Sequence, residues 1–159
     1  MLTFYSNAAI GTALVATIIA IWYDVRYMRL PHLLTISTMC AGIGLSVMHL
    51  NGETGVLDAC LGLLEGLLPL GIVALVYPEK IGFGDAMWLG GIGSLTGWAP
   101  LAFVVSIASL SSLIFFGILY LFGKRTKILP FGPFLGLSAL IILSWTRFFS
   151  NNPSPQLLQ

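Results

Sequence analysis

From Ala86 to Gly123 the chain carries no Asp, Glu, Lys, Arg or His. A soluble surface needs charge, and about a quarter of the residues in a soluble domain supply it. Here the stretch is not an exception, because only 8% of the 159 residues are charged and 57% are hydrophobic. A helix that crosses a bilayer takes roughly 20 mostly apolar residues. In lipid the backbone must satisfy its own polar groups, so helices or closed barrels are the only solutions. Barrel strands alternate apolar and polar residues, and these runs do not. The chain therefore reads as an all-α integral membrane protein of about six transmembrane helices. One domain covers 1–149, and the polar, Pro-containing stretch 150–159 is expected to be a disordered tail.

The apolar runs fall at about 5–23, 32–49, 56–77, 85–98, 99–122 and 133–149. The third contains Pro69, and the fourth is short. Turns are expected at "HLNGETG", "YPEKIGFG", "GWAP" and "GKRTKILPFGP". No Lys or Arg precedes the first run, and it lacks a clear small-residue cleavage site, so it is read as a span rather than a signal peptide. Formal net charge is +1, which gives no field to recruit nucleic acid. Cys40 and Cys60 stand alone in apolar runs, with no CxxC and no metal-ligand spacing. They are expected to be packing residues, and neither a metal nor a cofactor is expected. The lipid bilayer is the one certain partner of such a chain, and oligomeric state is left open.

The few charges orient the protein. Arg26, Arg29, Lys80, Lys124, Arg125 and Lys127 lie in the loops after the first, third and fifth runs, and Arg147 alone falls elsewhere. The positive-inside rule makes that side cytoplasmic and turns both termini outward. Asp24 then ends the first span and Asp85 begins the fourth. Two complete spans separate them, so they share one depth at the cytoplasmic boundary. Two close carboxyls share a proton and titrate as a pair. One can activate water while the other polarises a peptide carbonyl, which is the chemistry of aspartic proteolysis. The bland readings are that Asp85 caps its helix and that Asp24 pairs with Arg26 or Arg29. Gly82 and Gly84 permit positive φ and close backbone approach beside Asp85. The segment at Pro130 and Pro133 adds irregular backbone on the same side.

Three motifs then resemble one family. "WYDVRYMRLPHLLT" is similar to the first catalytic motif of the type IV prepilin leader peptidases, in which an Asp is followed by a Pro, here Pro31, and the next span. "GFGDAMWLGGIGSLTGW" resembles their GxGD motif, and "LPFGPFLGLSALI" their PFGPF-type segment. The resemblance implies a GxGD-type aspartic endopeptidase that cuts the short basic leader from prepilins or pseudopilins at the cytoplasmic face. Asp24 and Asp85 would be its catalytic pair. Gly82 and Gly84 would shape the loop, and Pro130, Phe131, Gly132 and Pro133 would support the structure. Many members also methylate the new amino terminus through a portion with paired CxxC motifs. No such motif stands here, so cleavage without methylation is expected. Two positions depart from the pattern: Met87 stands where a Lys is frequent, and His32 where Asn or Asp is common.

Other residues receive weaker readings. Glu79 and Arg26 are candidate substrate contacts by position alone. Glu65 lies inside the third span, where an acid is a functional candidate by default, but it is expected to be a hydrogen-bonded structural side chain. Gly62 with Gly66 and Gly93 with Gly97 form GxxxG pairs that favour close helix packing. Trp22, Trp88, Trp98 and Trp145 are expected mostly at span ends, as an aromatic belt. Two rivals use the same acids: a presenilin-like intramembrane protease, and a small proton-coupled transporter or channel. A non-catalytic scaffold would tolerate loss of both Asp.

Overall fold

A computed structural model describes residues 7–27, 30–51, 54–77, 82–122 and 131–151. They form six helices: α1 (Asn7–Tyr27), α2 (His32–Val47), α3 (Val56–Val76), α4 (Phe83–Thr96), α5 (Trp98–Leu121) and α6 (Gly132–Asn151). Helices α1, α3 and α5 are long and apolar enough to cross a membrane. Helix α2 and the Gly132–Trp145 part of α6 are shorter apolar helices. Helix α4, at 14 residues, rises only about 21 Å and falls short of a hydrocarbon core of about 30 Å.

Helix α4 is also the enclosed helix. Helices α1, α2, α3, α5 and α6 contact one another in that cyclic order, and α4 touches all five. Its residues from Trp88 to Thr96 are buried without a break, the pattern of a helix that is apolar all round. Glycine makes this centre possible. A Cβ on Gly66 would lie 2.6 Å from the Leu89 carbonyl oxygen, and one on Gly62 would collide with the Gly93 carbonyl. The first GxxxG pair therefore packs α3 backbone onto α4 backbone within one chain. Gly97 serves otherwise: at φ 78° it forms the α4–α5 corner alone. Trp98 and Pro100 already belong to α5, so the expected "GWAP" turn is reduced to one residue. Proline costs nothing in a first turn, where its missing N–H would have no partner.

Size is distributed inside out. Helix α1 buries Ala9, Ala13, Ala16, Thr17, Ala20 and Asp24, while Leu14, Val15, Ile18 and Trp22 face outward. Lipid is as apolar as leucine, so membrane helices associate through small residues and close contact. Trp22, Trp98 and Trp145 are exposed as an aromatic belt requires, but Trp88 is 1% exposed and sits in the core with Leu30, Ile92 and Leu135. Among the described residues its Nε1 has no hydrogen-bond partner. At the end of the bundle opposite Asp85, buried Asn51 donates to Ser46 Oγ (3.0 Å) and to the Leu95 carbonyl (3.2 Å), tying the α2–α3 turn to α4.

Candidate active site

The two acids arrive on different helices for different reasons. Asp24 occupies the last turn of α1, four residues beyond Ala20 on the same small-residue stripe. The stripe turns it inward, and Asp24 is 5% exposed. The helix runs on to Tyr27, so Asp24 lies inside α1 rather than at its end. Asp85 lies in the first turn of α4, and its backbone N–H donates to the Gly82 carbonyl at 3.0 Å. Gly82 is the N-cap and receives no side-chain capping bond. The reading of Asp85 as a simple cap therefore fails. Arg26 stands over the Trp22 and Tyr27 rings at 5.8 and 5.9 Å. Among the described residues no ion pair engages Asp24.

Helices α1 and α4 are in contact, and Asp24 is near enough for its charge to act on Asp85. The PFGPF-type segment closes the site. The Gly132 backbone N–H donates to Asp24 Oδ2 at 3.1 Å. A Cβ on Gly132 would lie 2.7 Å from that oxygen. Only glycine admits the carboxyl so close to the backbone. Pro133, next in α6, has no N–H, but a first turn asks for none. Phe131 accepts the N–H groups of Phe134 and Leu135 and so starts the helix. Leu30, buried just before Pro31, wedges between the acid-bearing elements. It lies 3.4 Å from where a Cβ would stand on Gly84 and 3.4 Å from one on Gly132.

Two expectations about glycine change. Neither Gly82 (φ −72°) nor Gly84 uses a positive φ. Gly84 is already helical and serves close approach, toward Leu30. Nor did the sequence give Gly132 a role beyond support, although its amide holds an Asp24 oxygen. The clue was present in the spacing of small residues leading to Asp24, which marks that carboxyl as turned into the bundle. His32 and Met87, the two departures from the motif pattern, touch each other: Nδ1 lies 3.2 Å from Sδ. Glu65 is not the hydrogen-bonded side chain expected, because it is exposed on the outer face of α3. Glu79, Pro130, Arg29, Lys80, Lys124, Arg125, Lys127 and the 152–159 part of the tail lie outside the described residues.

Residues 11–120 match the type IV leader peptidase family. The chain belongs to this family. The match contains both Asp24 and Asp85. Among curated relatives, a prepilin leader peptidase/N-methyltransferase of Aeromonas salmonicida is 32% identical over 129 residues, covering 77% of this chain and 44% of that protein. One of Escherichia coli is 29% identical over 133 residues, covering 80% of this chain and 58% of that protein. The leader peptidase HopD of Salmonella typhimurium is 30% identical over 138 residues, covering 80% and 85%. The chain thus spans about half the length of most curated relatives it matches. No solved structure gives a significant match.

Proposed function

We propose that this family member is a membrane-embedded aspartic endopeptidase that removes the short basic leader from type IV prepilins or pseudopilins. Asp24 and Asp85 are its catalytic dyad. The observation that carries the reading is that one oxygen of Asp24 is held by the Gly132 amide, while Asp24 lies near enough to Asp85, in the first turn of α4, for its charge to act there.

The chemistry follows from a dyad that shares one proton. The ionised carboxyl takes a proton from water, and the resulting hydroxide equivalent attacks the scissile carbonyl carbon. The protonated carboxyl gives its proton to the carbonyl oxygen. Collapse of the tetrahedral intermediate breaks the C–N bond; the leaving nitrogen takes the proton first removed from water, and a hydroxyl of the diol returns its proton to the other carboxyl, so that the dyad again holds one proton. The Gly132 bond fixes which Asp24 lone pairs remain available. Basic residues flanking α1, α3 and α5 favour a cytoplasmic site with both termini outward, in the bacterial inner membrane.

The direct test is cleavage of a prepilin in proteoliposomes by wild type, Asp24→Asn and Asp85→Asn. Each variant should lose about 10³-fold or more in kcat while inserting and folding. The double variant should be little worse, because the pair acts as a unit. An active single variant sinks the dyad.

A further inference from the structure

Glu65 is the chemistry-bearing residue that the dyad leaves unused. It lies near the middle of α3, a helix long and apolar enough to cross the membrane. Its side chain is exposed, and among the described residues no hydrogen bond or ion pair reaches it. Four residues on stands Pro69, inside the same helix. Proline has no N–H to give to the Glu65 carbonyl, so a second acceptor is freed at the same level. In a bilayer core no water is at hand to satisfy either acceptor. An acid placed there asks for a donor.

The surroundings narrow the donor. Glu65 and Pro69 line a groove of about 480 Å³ between α3 and α5, whose other walls include Val73, Leu89, Ala102 and Val105. The same two residues also line a groove of about 340 Å³ that continues past Leu61 and Leu68 to Trp98. Together they form an apolar track. Its wall includes Leu89, four residues from Asp85 and on the same face of α4. The depth follows from the α3–α4 contact, which sets Gly66 against Leu89 and Gly90. Glu65 is therefore about 6–8 Å below Asp85 along α4. A second groove, between α1 and α2, has a similar volume of about 450 Å³. Its hydroxyls on Thr12, Ser37 and Thr38 already bond to carbonyls of their own helices. No carboxylate among the described residues lines it.

We propose that the α3–α5 groove seats the apolar helix of the substrate, and that Glu65 accepts hydrogen bonds from the free N–H groups of that helix's first turn. The identity of the substrate rests on the cleavage reading above. A scissile bond must be extended to be attacked. Two or three extended residues at about 3.3 Å each bring the chain about 7–10 Å past the cut. That is the level of Glu65, where a helix starting in the membrane presents its orphan N–H groups. A carboxyl beside a helix N-terminus also meets the positive end of its dipole. Glu65 is thus a positioning residue that sets how far the helix enters, and so which bond lies at the dyad.

The test has two arms, both in proteoliposomes with the full chain. In the first, Asp85→Asn enzyme is mixed with a prepilin carrying a benzophenone side chain at the fifth residue after the cut. Adducts on residues 65–73 or 102–105 are expected. Adducts on the α1–α2 groove, or only between enzyme copies, would overturn the proposal. In the second arm, Glu65→Leu should raise KM about tenfold, the factor a good hydrogen bond is worth, with kcat little changed. It should also add cuts one residue away from the normal bond. Glu65→Gln, which keeps an acceptor oxygen, should restore both. Replacing a lipid-facing acid by leucine does not threaten folding, so an unchanged KM and a single cut would also overturn it. Wild type that cleaves no prepilin while adducts still form on α3 defeats the catalytic reading and leaves the groove. Normal cleavage with adducts elsewhere defeats the groove alone.

Discussion

Replacing Gly132 with alanine puts one methyl group against the proposed dyad. The new Cβ would lie 2.7 Å from Asp24 Oδ2, whereas ordinary contact begins near 3.4 Å. The carboxyl or the start of α6 must therefore give by several tenths of an ångström, and the 3.1 Å amide bond lengthens or breaks. A hydrogen bond to a charged group is worth about 1.5–3 kcal/mol. A displacement of about 1 Å at reacting groups can cost about 10²-fold in rate. Under the dyad chemistry, Gly132→Ala should lower kcat about 30- to 100-fold with KM little changed. The control is Gly136→Ala, one turn along α6, where a Cβ would lie 2.5 Å from Thr17 Cγ2. It strains the same α1–α6 packing without touching Asp24. Kinetics on a prepilin in proteoliposomes should be measured with unfolding midpoints for both variants. A Gly132→Ala enzyme that folds and keeps wild-type kcat refutes the reasoning. So does a loss of activity that simply tracks lost stability in both variants.

Three further outcomes are expected. The pH–rate profile should be bell-shaped, since activity needs one proton on the pair and falls when both carboxyls are protonated or both ionised; a profile that only rises with pH would point to a single base. Gly66→Ala should destabilise the fold by about 1–3 kcal/mol in denaturant titration, because the clash is with backbone that cannot rotate away. Trp88→Phe should change stability by no more than about 1 kcal/mol, as lost packing is offset by removing an unpaired N–H, whereas Trp88→Ala should cost about 3–5 kcal/mol.

Helical segments and the two acids could be read from the residues because their causes are local. A charge-poor run must become a helix in lipid, whichever neighbours it meets. Charges and turn residues mark where each run stops, to within a few positions. The inward face of α1 was also written locally, in alanines at helical spacing that lead to Asp24. Helix–helix geometry has no such local cause. The second GxxxG pair shows this, since Gly93 meets the α3 backbone while Gly97 makes a corner, although both glycines fit the same pattern. Trp88 looks like a belt residue until α4 is known to be enclosed by five helices. The sequence by itself determined helices and their approximate limits, because hydropathy and charge act residue by residue. Only the tertiary structure decided that α4 is central, that the Gly132 amide reaches Asp24, and that Glu65 faces outward. Those outcomes depend on which backbones approach closely enough to exclude a side chain, and that is settled between segments remote from one another in the chain.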